Sequence, residues 1–190
     1  LNPISSYAKA KVKIEKYLLS KKTKVNYAGV ILRFATAFGL SPRMRFDLTV
    51  NQFTWDLYFN KYVSVYDENT WRPYCHVNDF ARLIDNVIKC SKEDVFFEVF
   101  NAGGDENNLT KKMIIEILIK KIAGVKVDYK SEGSDPRNYK VSFKKVLERL
   151  NFKPQYNVEM GIDELIKAFK NNQYSDFEIY KEKYGNFKIK

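Results

Sequence analysis

Apolar and polar positions along the 190 residues follow helical spacing in some stretches and strand spacing in others. Residues 7–19 carry apolar side chains at helical intervals, with Ala10 and Ile14 among the positions expected to be buried. Ser5 or Ser6 stands just before this stretch, where a hydroxyl caps the first helical turn. We therefore predict that the chain opens with a short loop and a helix packed on the protein body.

A nearly continuous apolar run covers residues 25–38 and predicts a strand buried on both faces, as in a parallel sheet. Arg33 interrupts the run. Because an unpaired buried charge is too costly to keep, we expect its guanidinium to reach the surface or a carboxylate. Shorter strands are predicted at 63–66 and 125–129, and another begins at Glu98 and ends in a glycine turn.

Helices are predicted where apolar stripes return after these strands. One follows a loop with two arginines and ends near Asn60, and others cover residues 80–90, 110–122, 143–150 and 161–171. Asn78 or Asp79 is the expected N-cap of the helix at 80–90, and Thr110 that of the next one.

Composition limits the class of protein. Hydrophobic residues make up 45% and charged residues 29%, which is typical of a globular chain. Since no run reaches the roughly 18 apolar residues of a membrane span and no signal-peptide pattern is present, we expect a cytoplasmic protein without a membrane partner. Cys75 and Cys90 have no metal-ligand spacing, which predicts buried, inert thiols and no metal.

The net charge of +10 raises the question of an anionic partner. The lysines are scattered, and no Gly-Arg or aromatic-basic signature of RNA binding occurs. We therefore favour a solvated, lysine-rich surface and expect no nucleic-acid partner, with a non-enzymatic polyanion-binding module kept as an alternative.

A tyrosine and a lysine one helical turn apart are the first candidate chemistry. Tyr7 and Lys11 share a helix face, and a nearby ammonium favours the phenolate form of a phenol. Tyr17/Lys21 and Tyr184/Lys188 have the same spacing, and chance alone gives about two such pairs. Only the surrounding sequence can choose among them.

That surrounding sequence is an ordered series of motifs. It resembles the C-terminal half of the extended short-chain dehydrogenase/reductases that act on nucleotide sugars, which are NAD-dependent epimerases, dehydratases and related reductases. The resemblance implies an α/β fold, namely the C-terminal part of a Rossmann-type doubly wound parallel sheet plus a small α/β substrate-binding domain. The motifs that carry it are Tyr7 to Lys11, Arg33 to Gly39, Arg72 to Asp79, Val99 to Gly104 and Ser134 to Arg137.

The resemblance also implies a division into domains. Residues 1–42 would end the dinucleotide-binding domain, and 43–170 would form mostly the substrate-binding domain, with about 76–104 returning to the Rossmann sheet. Residues 171–190 form a tail beyond the resemblance. The family's Gly-rich phosphate turn does not occur in these 190 residues, so we expect them to be the back half of a longer enzyme.

By this resemblance Tyr7 is the acid/base that takes a proton from a sugar hydroxyl while hydride passes to NAD or NADP. Lys11 would support the phenolate and bind the nicotinamide ribose, and Tyr7 and Ala35 would also contact the cofactor. Any further acid/base pair of the family would lie before Leu1.

Four more residues would bind the nucleotide-sugar substrate. They are Thr36, which stands where the family usually has Asn, together with Arg45, Arg72 and Arg137. His76 is the single histidine, and we expect it to be structural. Self-association into a homodimer is left open, and a short-chain dehydrogenase/reductase acting on a non-nucleotide ketone or alcohol is the other alternative.

Overall fold

The computed structural model describes residues 2–131 and 137–186. Its helices are α1 Ser6–Leu19, α2 Thr49–Trp55, α3 Val77–Lys89, α4 Lys92–Val95, α5 Lys111–Lys121, α6 Lys144–Leu150 and α7 Val158–Lys170. Its strands are β1 Val30–Phe34, β2 Thr36–Phe38, β3 Tyr62–Tyr66, β4 Trp71–His76, β5 Glu98–Ala102, β6 Asn108–Thr110 and β7 Lys126–Lys130. A π-helical turn, Asp56–Asn60, continues α2, and 3₁₀ turns cover Asp105–Asn107 and Lys181–Tyr184.

Within the described residues the strands form three small sheets, in which parallel pairing predominates. β1 lies parallel to β5, with Val30 opposite Glu98, and β3 lies parallel to β7. β2 lies parallel to β4, and β6 pairs with β4 in the antiparallel sense. Parallel strands need crossover connections, which here contain helices. This arrangement confirms the predicted α/β class with parallel sheets.

The apolar run at residues 25–38 forms two strands rather than the single predicted strand. β1 belongs to one sheet and β2 to another, and Ala35 lies between them. The Ala35 backbone N–H still donates to the Ala102 carbonyl at 3.1 Å, the last hydrogen bond toward β5. From Thr36 onward the chain pairs with β4 instead, with Thr36 opposite Tyr74. The chain therefore changes sheets at Ala35.

Helix α1 forms as predicted, and Ser5 is its N-cap, since the Ala8 N–H donates to the Ser5 hydroxyl at 3.1 Å. The predicted burial is wrong, because none of the fourteen residues of α1, all of them described, is fully buried. Ala10 and Ile14 are exposed. Helical periodicity shows which side chains share a face, but it cannot show whether another element covers that face.

An ion pair connects α1 to β1. The Arg33 guanidinium donates to Glu15 through Nε at 2.8 Å and through Nη2 at 2.5 Å. This bidentate contact holds the pKa of the Glu15 carboxyl below its ordinary value, with the hydrogen bond from Arg33 as the main cause. The prediction that Arg33 would reach the surface or a carboxylate is confirmed.

The described residues bury three hydrophobic clusters. The first lies among β2, β3 and β4 and helices α2, α5 and α7, and the second among β1, β5, α3 and α6. The third, called the aromatic cluster below, lies between α2, α7, the loop before α2 and the segment after α7. Its fully buried members are Met44, Phe46, Trp55, Leu165, Phe169 and Tyr184.

His76 joins β4 to α3 and has no exposed surface. Its Nδ1 accepts the Asn78 backbone N–H at 3.2 Å, so His76 is the N-cap of α3. Because Nδ1 accepts, we assign the proton to Nε2, which donates to the Glu164 carboxylate at 2.8 Å. The ring also stacks on Tyr156 at 4.3 Å between centroids. These contacts make His76 a packing and capping residue.

Asp79 does not cap α3, so the prediction that Asn78 or Asp79 would do so is wrong. Its fully buried carboxylate instead accepts the backbone N–H groups of Gln155 and Tyr156, each at 3.0 Å. Arg82 also donates to it at 2.6 Å. The carboxylate that the local sequence assigns to the helix end therefore binds two backbone N–H groups of a distant segment.

Candidate active site

An open cleft of about 860 Å³ lies where the start of the chain meets the switch between β1 and β2. Its walls come from residues 2–8, the β1–β2 junction, the end of β5 and residues 137–143. In open parallel sheets ligands bind beyond the carboxyl ends of strands, at a point where the chain switches direction in the sheet. This cleft has that position with respect to β1 and β5, whose carboxyl ends contribute Phe34, Ala35 and Asn101.

Tyr7 projects from the first turn of α1 and lines the cleft with 73% of its surface exposed. The Lys11 ammonium lies 5.4 Å from the centre of the Tyr7 ring. Lys11 itself stands behind the tyrosine and is not among the described residues that line the cleft. With Ser5 as the N-cap, helix α1 begins at Ser6, and this start fixes where Tyr7 emerges.

The other two tyrosines with the same spacing lie elsewhere. Lys21 is 4.6 Å from the Tyr17 ring centre, closer than Lys11 is to Tyr7, so the pair geometry does not distinguish them. Tyr17 is not among the described residues that line the cleft. The Tyr184 hydroxyl is bonded to Asp176 in the aromatic cluster, and Lys188 lies outside the described residues. Location, and not spacing, separates Tyr7 from the rest.

Ala35 and Thr36 line the cleft opposite the start of α1. Both stand at the change of sheet, where the backbone of Ala35 is fixed by β5 and that of Thr36 by β4. Asn101 and Arg33 also contribute to the wall, although sequence reasoning assigned them no site role. The rule that ligands bind at the carboxyl ends of parallel strands could have found Asn101, which ends the predicted strand from Glu98.

Arg137 lines the cleft, whereas Arg72 lies beneath it with only 9% of its surface exposed. The Arg72 guanidinium donates to the carbonyl of Trp71 at 2.8 Å and to the carbonyl of Arg137. It also faces the Tyr139 ring at 5.4 Å. In the described structure Arg72 thus supports the backbone that carries Arg137. The preceding motif residues Ser134 to Pro136 lie outside the described residues.

Residues 138–140 also form part of this wall, and the sequence analysis did not predict them as site residues. The Trp71 N–H donates to the Asn138 side-chain carbonyl at 2.9 Å, and the Lys140 ammonium lies 3.6 Å from the centre of a Trp71 ring. Together with Arg137, Lys140 gives this side of the cleft positive charge. Their position directly after Arg137, which was predicted, is the feature of the sequence that could have indicated them.

Arg45 does not line the cleft among the described residues. It forms a bidentate pair with Asp47, with both N–O distances at 2.6 Å. The hydrogen bonds from Arg45 hold the pKa of the Asp47 carboxyl below its ordinary value. Of the seven residues predicted for the site, the structure thus brings four together along one cleft: Tyr7, Ala35, Thr36 and Arg137.

Among residues 2–131 and 137–186, no three His, Cys, Asp or Glu side chains come together where they could hold a metal ion. The helices described there are all too short or too polar to cross a bilayer.

Helices between parallel strands and a cleft at their carboxyl ends define part of a Rossmann-type α/β fold. Residues 1–103, more than half of the sequence, match the NAD dependent epimerase/dehydratase family. The chain belongs to this family, which confirms the resemblance inferred from the motifs.

Relatives and solved structures agree with this assignment. The UDP-glucuronate 4-epimerase of Thermodesulfobacterium geofontis is 27% identical over 177 residues, which are 90% of this chain and 52% of that protein. The UDP-glucose 4-epimerase of Thermotoga maritima, solved with UDP-glucose, has a TM-score of 0.77 at 24% identity. The match covers 90% of this chain and 55% of the epimerase chain. The dTDP-glucose 4,6-dehydratase of Bacillus anthracis, solved with NAD, has a TM-score of 0.76 at 23% identity, covering 92% of this chain and 55% of its own. The chain therefore spans about half the length of these proteins.

Proposed function

We propose that this chain supplies the acid–base and substrate-holding part of a nicotinamide-dependent epimerase or dehydratase that acts on a nucleotide sugar. The observation that carries the proposal is the position of Tyr7, which lies on the wall of the cleft with the Lys11 ammonium 5.4 Å from the centre of its ring. Membership of the family and the nucleotide-sugar relatives support it. Because no Gly-rich phosphate turn occurs in these 190 residues, the cofactor pyrophosphate would be held by residues outside them.

The proton steps follow from the chemistry of this pair. In its phenolate form the Tyr7 oxygen accepts the proton of a sugar hydroxyl, and the carbonyl forms as hydride leaves the same carbon. Lys11 supports this step by placing a positive charge 5.4 Å from the centre of the Tyr7 ring. In the reverse direction the Tyr7 hydroxyl returns the proton to the oxygen of the keto sugar. General acid–base catalysis of this kind contributes about 10²–10⁴-fold.

The residues of the cleft fit the nicotinamide end of such a cofactor. The volume of about 860 Å³ is within the range of small-molecule sites, about 300–1,000 Å³, and leaves room for a sugar beside a nicotinamide. The Lys11 ammonium, although not among the described lining residues, lies near enough to Tyr7 to donate to ribose hydroxyls, and Ala35 gives a small apolar surface on the opposite wall. A bound nicotinamide would supply the hydride acceptor that the side chains of this chain cannot provide.

The substrate would lie across the basic wall. Arg137 presents a forked donor suited to phosphate, and Thr36 offers a hydroxyl at the opposite side. We assign Arg72 an indirect contribution to phosphate binding, since its guanidinium bonds the Arg137 carbonyl. Arg45 would have to exchange its Asp47 partner for phosphate.

A binding experiment distinguishes this proposal from its rivals. Ligand-observed NMR on the chain should show binding of UDP-glucose or dTDP-glucose and no preference for a short DNA duplex. Binding of DNA alone would favour the polyanion-binding module. Absence of nucleotide-sugar binding together with turnover of simple alcohols would favour a non-nucleotide dehydrogenase.

The role of Tyr7 is tested by turnover with the Gly-rich segment supplied in the same polypeptide. Tyr7→Phe removes only the phenolic oxygen, so the protein should fold while hydride transfer falls by about two decades or more. Tyr17→Phe is the matched control, because that tyrosine has the same lysine spacing on the same helix and should leave turnover within a few-fold. Full activity of Tyr7→Phe would refute the assignment of α1 as the catalytic helix.

A further inference from the structure

The C-terminal segment 171–186, called the strap below, folds back over the loop at 41–47, called the arginine loop. The centre of the contact is Phe46, which belongs to the loop and is 4% exposed. Its ring meets three rings of the strap, namely Tyr174 at 5.5 Å, Phe177 at 4.8 Å and Tyr184 at 5.7 Å between centroids. It also meets Trp55 of α2 at 4.9 Å. Phe46 is therefore enclosed between the strap and the protein body.

Two hydrogen bonds connect the arginine loop to the strap, one between backbone groups and one from a side chain to a carbonyl. The Phe46 N–H donates to the Tyr184 carbonyl at 2.9 Å, and the Arg43 guanidinium donates to the Gly185 carbonyl at 3.0 Å. The strap is itself braced, since Asp176 accepts from the Tyr184 hydroxyl and from the Lys183 ammonium. The strap therefore contacts the arginine loop through directional hydrogen bonds as well as through apolar packing, and it fixes the backbone of Phe46 and the side chain of Arg43.

The arginine loop is also fixed from the other side by Asn51 of α2, which is 2% exposed. The Asn51 amide donates to the Arg45 carbonyl at 2.9 Å, and its oxygen accepts the Gly39 N–H at 3.0 Å. Gly39 directly follows β2, whose first residue, Thr36, lines the cleft. The loop is thereby held between the end of β2 and the strap.

We propose that the strap is a positioning segment that fixes the arginine loop, so that the direction in which Arg43 and Arg45 point depends on residues 171–186. The loop has no helix or strand of its own between residues 41 and 47. Freed from the strap, it would sample many conformations, and the two arginines would lose a defined position. This inference rests on the proposed function only where it concerns the ligand, which would be the phosphate-bearing part of a nucleotide sugar.

Trypsin cleaves after lysine and arginine, and identifying the fragments by mass gives the cleavage rate at each arginine of the loop. A variant that ends at Asn171 should be cut after Arg43 and Arg45 about tenfold faster than the unaltered chain, since cleavage follows local opening. Cleavage after Arg149 in α6 should keep its rate. Equal rates at the loop in both proteins would overturn the proposal.

A point variant keeps the test decisive if the shortened chain does not fold. Tyr184→Ala removes the buried ring that bonds Asp176, and Tyr180→Ala, a half-exposed tyrosine of the same strap, is its control. Only Tyr184→Ala should raise cleavage at the loop and weaken binding of UDP-glucose. Faster cleavage with unchanged UDP-glucose affinity would overturn the link to the ligand. If the unaltered chain binds no nucleotide sugar, the proposed function fails, while the cleavage rates still decide the role of the strap.

Discussion

Gly39, at the end of β2, offers a sharp test of the packing behind the cleft. Its φ of +94° is in the region that favours glycine. A Cβ built there would lie 1.9 Å from Nε2 and 2.2 Å from Cδ2 of His76. The imidazole cannot move aside cheaply, because it is fully buried, bonded to Glu164 and stacked on Tyr156. Gly39→Ala should therefore destabilise the protein through backbone strain and through a steric clash with His76.

The two contributions can be separated with Gly124, whose φ is +70° and which has no atom within 4 Å of the same built Cβ. Left-handed backbone strain costs about 1–2 kcal/mol and applies to both glycines. Overpacking adds about 1–3 kcal/mol at Gly39 alone. We expect Gly124→Ala to lower the free energy of unfolding by about 1–2 kcal/mol. Gly39→Ala should lower it by about 2–5 kcal/mol.

Urea unfolding of the two variants and the parent measures this difference from the midpoints and slopes. A double variant adds a second check, because His76→Ala opens the space that the new methyl group needs. In that background the cost of Gly39→Ala should fall toward the cost at Gly124. Equal costs for the two glycines in the parent, or an unchanged cost beside His76→Ala, would refute the reasoning.

Two further predictions concern the cleft and the thiols. Arg137→Ala should weaken nucleotide-sugar affinity about ten- to a hundredfold by calorimetry, the range for hydrogen bonds to charged groups; Arg149→Ala is the control, and equal affinities would argue against a phosphate contact. Burial raises the pKa of the Cys75 thiol, so at about pH 8 a thiol reagent should modify half-buried Cys90 first and reach Cys75 only after unfolding. Equal labelling rates in the folded protein would contradict the described packing.

Elements with local signals were predictable from the sequence. Ser5 caps α1, and Thr110 caps α5 through the Met113 N–H at 3.1 Å, because a hydroxyl before a helical stretch is a local pattern. Arg33 could be expected to find a carboxylate, because the cost of an unpaired buried charge does not depend on the fold. Its partner Glu15 could not be named, since that requires the packing of α1 on β1.

Features that depend on distant parts of the chain were not predictable. The change of sheet at Ala35 arises because β5 and β4, both later in the sequence, pair with the two halves of one apolar run. Asp79 is a better cap by composition than His76, yet the backbone donors at 155–156 bind the aspartate. Tertiary hydrogen bonds thus overrode a local preference.

The order of motifs placed Tyr7 and Arg137 in one site, and both line the same cleft. Their roles remain predictions. The sequence could not show that Arg72 is buried and bonded to backbone carbonyls. The residues next to an arginine in the sequence do not show whether its guanidinium will bind a phosphate or a carbonyl oxygen. Asn101 was not predicted because an uncharged amide carries no local signal of ligand binding, and only its position at the end of β5 marks it.

The pairing of the strands has a consequence for how the chain folds. β3 and β4 are neighbours in sequence, yet within the described residues they join different sheets, and no sheet is closed by a hairpin. The partners of β1 and β3 are β5 and β7, which lie far along the sequence. The contact order is therefore high, and we expect folding to be slow. At ribosomal rates of about 5–20 residues per second, β5 is made several seconds after β1, its partner among the described residues. During synthesis the apolar side chains of β1 and β3 are therefore exposed to aggregation until β5 and β7 have been made.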